Sequence, residues 1–203
     1  ILLLSRMSLT KKLLISVMLL FLVGCAADAT YRETFLERRS QGTVIPGKIG
    51  IRILEPDEKL SLSPSSYTGW ATKINFDIGR ITKKVALSTY GELFNDGAVY
   101  VEKNSKTDDL NLILEPKVKE LKFRYNSLKN VGFAVTPQVE VWIFVKAFDT
   151  QQELIFEKGY HSGWIDGDTY VINLDYNGAI NKTLHVILQD LFAKSFNDFK
   201  NKL

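Results

Sequence analysis

The longest regular alternation in the chain lies within residues 133–148. There Val139, Val141, Ile143 and Val145 alternate with Glu140, Trp142, Phe144 and Lys146. A period of two marks a strand. Both of its faces turn apolar at the centre, so we expect a central strand with Trp142 packed. Residues 154–164 are expected to pair with it across a turn near Asp149, Thr150, Gln151 and Gln152. Residues 49–54 alternate as a first strand, and residues 98–102 form a short one. Residues 110–125 form a long strand with a change of phase near Pro116, where proline indicates an edge or a bulge.

Two segments follow a helical period instead. Ile74, Ile78, Ile81 and Val85 lie at spacings of four, three and four. That spacing predicts an amphipathic helix, capped by Thr68 or Thr72 and stopped near Phe94 by Asn95-Asp96-Gly97. Residues 178–200 carry a second stripe, Ile180, Leu184, Ile187, Leu191, Phe196 and Phe199. The Pro- and Ser-bearing residues 55–69 read as a loop. Strands grouped together, with helices at two points, predict an α+β fold: a twisted, mainly antiparallel sheet with two amphipathic helices packed on one face.

The N-terminal region has neither period. After Met7, Lys11 and Lys12 precede an apolar run of about eleven residues, which as a helix covers roughly 16 Å. A membrane span needs about twenty residues. Leu22-Val23-Gly24-Cys25 comes directly after it and resembles the bacterial lipobox. The resemblance implies a signal peptide over residues 1–24, with translation starting at Met7, cut by a signal peptidase that recognises Leu22, Val23 and Gly24. It implies a diacylglycerol and an N-acyl chain on Cys25 and no other cofactor. Each buried CH₂ contributes about 0.8 kcal/mol, so two or three chains hold a protein at a membrane permanently. In such lipoproteins an Asp directly after the cysteine marks inner-membrane retention. Here Ala26 and Ala27 stand there, which implies the outer membrane, facing the periplasm. Residues 25–48 are polar and read as a tether, with a reach of roughly 25 Å for about twenty residues. Residues 49–203 are read as one domain.

Charge sharpens this picture. Arg6, Lys11 and Lys12 are the charged residues before Cys25, and without them 26 basic residues become 23, equal to the 23 acids. A neutral mature chain lacks the basic surface that nucleic-acid binding requires. Cys25 is the one cysteine, which excludes an intramolecular disulfide and a Cys-based zinc site.

The candidate chemistry is sparse. His161 and Ser162 are neighbours and, on a strand, face opposite ways, so they cannot act as base and nucleophile. His185 flanks the apolar stripe and reads as a boundary residue. Asp166-Gly167-Asp168 with Asp175 lacks the ligand spacing of a calcium loop and reads as a solvated turn. Asn181-Lys182-Thr183 reads as a first helical turn rather than a glycosylation site. We therefore expect no catalytic residue, no metal and no enzymatic activity. Aromatic residues lean toward binding: Trp70, Trp142, Trp164, Tyr160 and Tyr170 include several near turns or strand ends. Tyr160 and Trp164, beside a Gly-rich loop, are the expected partner contacts.

Residues 110–198 resemble small Gram-negative lipoproteins of the YajG type. The matching features are Leu112-Ile113-Leu114, Arg124-Tyr125-Asn126, the alternation from Val139 to Val145, and the closing helix from Ile180. The first half departs from that pattern, above all at Pro56 to Pro64. The resemblance implies a non-enzymatic accessory or scaffold protein that binds an envelope partner. A carrier or sensor of an apolar ligand is the alternative, and a cavity between helices and sheet would favour it. A hydrolase of envelope polymers would need paired carboxylates or a His-centred cleft, and no spacing suggests either.

Overall fold

The alternation at the centre of the chain becomes strand β8 (Pro137–Phe148). Its odd-numbered residues from Val139 to Ala147 are buried on one face. The long strand β6 (Leu112–Tyr125) runs antiparallel to it, from Ile113 opposite Phe148 to Tyr125 opposite Pro137. The ladder slips between Val118 and Glu120. Before the slip Leu112, Leu114, Pro116 and Val118 face inward; after it Leu121, Phe123 and Tyr125 do, with Lys119 and Glu120 both exposed between them. A bulge inserts one extra residue and so reverses the phase of the strand. The expected phase change is thus present, two residues beyond Pro116. Pro116 itself stays in the ladder opposite Val145. Strand β2 (Ile49–Ile51) accompanies β6 only as far as Leu114, and a proline is tolerated where a strand has one free side.

The main sheet has six strands, in the order β10-β8-β6-β2-β5, with β9 also beside β8. Strand β9 (Leu154–His161) pairs antiparallel with β8, and β10 (Ile165–Asp166) continues along the same edge. Strand β2 lies between β6 and β5 (Ala98–Tyr100) and is parallel to both. The sheet is therefore mixed: antiparallel from β6 to β10 and parallel around β2. Parallel neighbours need a crossover, and helix α1 (Ile78–Gly91) lies in the connection from β2 to β5. All three β2 residues are buried, as a strand covered on both faces requires.

The structure is a computed structural model that describes residues 26–29, 44–63, 73–103, 105, 107, 109–129, 134–171 and 176–200. Leu22, Val23, Gly24, Cys25, Thr68, Trp70, Thr72 and Asp175 lie outside the described residues. Three short strands correct the expected boundaries. Strand β4 (Lys73–Phe76) occupies the predicted first turn of helix α1, and β3 (Leu60–Leu62) lies in the predicted loop. Strand β1 (Ala26–Ala29) lies within the predicted tether. Together they form a small sheet, β1-β4-β3. The spacing from Ile74 to Ile78 imitates a helix, but Ile74 and Phe76 alternate and are both fully buried. Asp77 has a non-helical backbone and makes no side-chain cap, so α1 begins after it. The helix closes at Gly91, before the expected Phe94. Strand β7 (Ala134–Val135) pairs with β11 (Tyr170–Val171) as a separate ribbon, and Tyr170 lies there.

Helices α1 and α2 (Tyr176–Phe199) both pack on the inner face of the main sheet. The predicted α2 stripe, Ile180, Leu184, Ile187, Leu191, Phe196 and Phe199, is buried throughout. The two helices meet at Tyr90, whose ring lies 5.3 Å from that of Phe192 and whose hydroxyl lies 2.6 Å from Ser195 Oγ. Burial pushes the Tyr90 hydroxyl pKa far up, so it stays neutral, and the hydrogen bond removes the cost of burying it. His185 is buried in this layer rather than at its boundary. Helix α2 is covered on more than one side, by the sheet, by α1 and by β1, so a flanking position is also inside.

Candidate interaction face

The residues between the buried ones on β8 point to the outer face of the main sheet. At one end that face is covered: Val101 and Leu110 pack over Ile113, with Phe148 beside them. Elsewhere it is open. Trp142 is 43% exposed and Phe144 37%, which corrects the expectation that Trp142 packs in the core. The mistake has a physical origin. An apolar residue on a central strand is buried only if a layer covers its face, and both helices lie on the other one.

Cross-strand partners give this face its shape. Trp142 lies opposite His161 of β9 and opposite Glu120 of β6. The Trp142 and His161 rings are stacked at 4.0 Å, 27° from parallel. His161 Nε2 lies 2.9 Å from Glu140 Oε1, which fixes the outer edge of the imidazole. Phe144 lies opposite Gly159, and a Cβ at Gly159 would come within 3.0 Å of the Phe144 ring. The absent side chain lets that ring lie across the neighbouring strand. Lys119 Nζ sits 5.5 Å from the Phe144 centroid. Lys146 pairs with Glu157 at 3.4 Å, and Lys122 with Glu120 at 3.1 Å. The result is an aromatic centre framed by charged residues of both signs.

The two predicted contact residues end on opposite faces. Tyr160 points to the helix side and packs against the core. Its hydroxyl donates to Asp198 Oδ2 of α2 at 2.9 Å, and Lys158 Nζ approaches the same oxygen at 2.8 Å. Lys158, first, and Tyr160 hold the Asp198 carboxyl below the usual range. Tyr160 therefore braces β9 to α2 and is not part of the open face. Trp164 lies beyond a break in the edge strand, where Ser162 Oγ accepts from the Val141 N–H at 2.9 Å and Gly163 takes φ +65°. Glycine adopts that conformation without strain. Arg124 lies 4.0 Å over the Trp164 ring, and its Nε donates to Gln138 at 2.6 Å. Trp164 thus borders the open face, two cross-strand steps along β8 from Trp142. The sequence placed Trp142 in the core and did not single out Phe144, and both are exposed. The usable signal was the unbroken apolar centre of β8 combined with a glycine at the facing position of β9.

The remaining polar residues are structural. Asp166 accepts from Lys129 at 2.7 Å, from Asn126 at 3.0 Å and from Gln138 at 2.7 Å. Lys129 leads these in holding its carboxyl low. Asp168 pairs with Lys182 at 2.8 Å. Among the described residues no group of His, Cys, Asp and Glu is placed to hold a metal. A cleft of about 190 Å³ separates the loop at Ile165–Asp168 from Lys182, Thr183 and Val186. Pockets for drug-sized ligands start at about 300 Å³, so this cleft does not favour the carrier alternative. Among the described residues no helix is long and apolar enough to cross a membrane.

No protein-family model and no curated protein matches the chain. Solved structures of similar layout exist. A Xanthomonas campestris protein of the DUF330 family model is 10% identical, with a TM-score of 0.49 over 88% of this chain and 98% of that one. A minor lipoprotein from Acinetobacter baumannii is 11% identical, with a TM-score of 0.38 over 77% and 94%. A PelC dodecamer from Paraburkholderia phytofirmans is 15% identical, with a TM-score of 0.37 over 77% and 90%. At these values the functional reading rests on this chain's own residues.

Proposed function

We propose that this chain is a lipid-anchored protein of the bacterial envelope that holds a protein partner on the open face of its main sheet and catalyses no reaction. The carrying observation is the exposed pair Trp142 and Phe144, held in place by the stack on His161 and the gap at Gly159. Burying an aromatic side chain contributes about 1.5–3 kcal/mol, and Trp and Arg dominate binding hot spots. Trp142, Phe144 and the Trp164–Arg124 pair supply both on one surface. The resemblance of Leu22-Val23-Gly24-Cys25 to a lipobox supports anchoring through Cys25, and Ala26-Ala27 after it supports the outer membrane. The YajG-type pattern of residues 110–198 supports an accessory role.

The test is a photo-crosslinking amino acid at position 144, with position 92 on the helix side as control, in cells that also carry an acyl-chain label. One discrete adduct from position 144, absent from position 92 and lost with Trp142→Ala, is the expected result. Equal labelling from both positions would reject the open face as the contact. Acyl label that persists in Cys25→Ser would reject the anchor.

A further inference from the structure

Strand β1 begins at Ala26, the residue directly after Cys25. It is hydrogen-bonded to β4 in parallel from that first residue, with Ala26 opposite Lys73 and Ala29 opposite Phe76. Strand β3 runs the other way, with Leu62 opposite Ile74 and Leu60 opposite Phe76. The end of the small sheet next to Cys25 is therefore where β1 and β4 begin and where β3 finishes at Leu62. From that end β4 runs toward Asp77 and helix α1.

We propose that the lipid anchor enters the fold without a tether, so that the domain rests on the bilayer at this end of the small sheet and turns its open aromatic face away from the membrane. The inference rests on the reading of Cys25 as the lipidated residue. Consecutive Cα atoms are 3.8 Å apart, and the acyl chains on Cys25 lie in hydrocarbon. Ala26 is thus held at the headgroups, whereas a flexible tether of about twenty residues would let the domain wander over roughly 25 Å. The orientation follows from packing. Strand β1 contacts α2, and α2 packs on β8 and β9 from the inner side of the main sheet. The anchor therefore belongs to the helix side. Trp142, Phe144 and His161 emerge from the opposite face, toward a partner that approaches from the aqueous compartment.

The experiment uses the full lipidated chain in vesicles of phosphatidylethanolamine and phosphatidylglycerol that contain a little nitroxide-headgroup lipid. The native cysteine is blocked by its lipid, so a fluorophore can be placed at Ser63→Cys, just after β3, or at Lys119→Cys on the open face. Both positions are exposed. The expected result is severalfold stronger quenching at position 63 than at 119, and loss of that difference when a flexible ten-residue Gly-Ser insert separates Cys25 from Ala26. Equal, weak quenching at both positions without the insert overturns the proposal in favour of a free tether. Stronger quenching at 119 overturns it in favour of the open face lying on the membrane. Failure of the chain to float with the vesicles overturns the anchor itself, and the orientation with it, and is read separately from the quenching.

Discussion

The two faces of strand β8 are nearly equal in apolar character at their centre and opposite in fate. On the inner face Val139, Val141, Ile143, Val145 and Ala147 are buried in the core, with helix α2 packed on the strand. On the outer face the larger side chains Trp142 and Phe144 stay 43% and 37% exposed. Burial is thus decided by what the rest of the chain lays over a face, and the apolar character of the residue does not settle it. The outer face also shows partial cover, since Val101 and Leu110 close its end near Ile113. The stretch from Trp142 to Phe144 is left open, with Trp142 stacked on His161 of the neighbouring strand.

Substitutions on each face sharpen this contrast. Ile143→Ala should cost about 2–5 kcal/mol, the usual effect of emptying a buried site, with a lower urea midpoint and an unchanged slope. The double substitution Trp142→Ala with Phe144→Ala should cost only about 1 kcal/mol, the scale of cross-strand pairs, while abolishing co-purification of the partner. A stability loss equal to that of Ile143→Ala would erase the distinction. Tyr160→Phe should lower stability by about 1 kcal/mol through its lost hydrogen bond to Asp198 and leave partner capture intact. Trp164→Ala should do the reverse, weakening capture more than melting temperature.

The smallest effect concerns pH. Burial lowers the His185 pKa from 6.5, so as pH falls through the unfolded value the unfolded chain takes up a proton before the folded one does. Its contribution to stability is complete above the unfolded value and declines as pH falls toward the folded one. The melting temperature should fall over this interval, and His185→Gln should flatten the part of the slope that belongs to this residue. An unchanged slope would mean that His185 is protonated inside the fold.

Much of the fold was legible because two periods are hard to counterfeit over a long span. Helix α2 keeps its stripe over several turns, and β8 keeps its alternation over most of its length. The bulge in β6 was also visible as a change of phase, displaced from Pro116 to Val118–Glu120. The small sheet was not legible. Leu60–Leu62 lies in a Pro- and Ser-bearing stretch that reads as a loop, Ala26–Ala29 carries no clear alternation, and Ile74 joined the helical stripe by coincidence of spacing. Tyr160 and Trp164 read as neighbours on one edge, and the structure separates them. Trp164 borders the open face, but Tyr160, four residues earlier on the same edge, turns inward to Asp198. The break at Ser162-Gly163 separates their orientations; Gly163 announces the break locally, but the face that each side of it takes is set by pairing with β8.

By itself the sequence determined the lipobox-like run ending at Cys25, the neutral charge of the chain beyond that cysteine, the long helices and strands, and the α+β class. These depend on composition and on short-range period, which survive without knowledge of neighbours. The tertiary structure alone decided which face of β8 the helices cover, that β2 enters the sheet in parallel, and that the chain is already paired into a sheet at Ala26. Each of those outcomes depends on contacts between residues far apart in the chain, where the free energy of burial is shared among several elements and no single segment carries the signal.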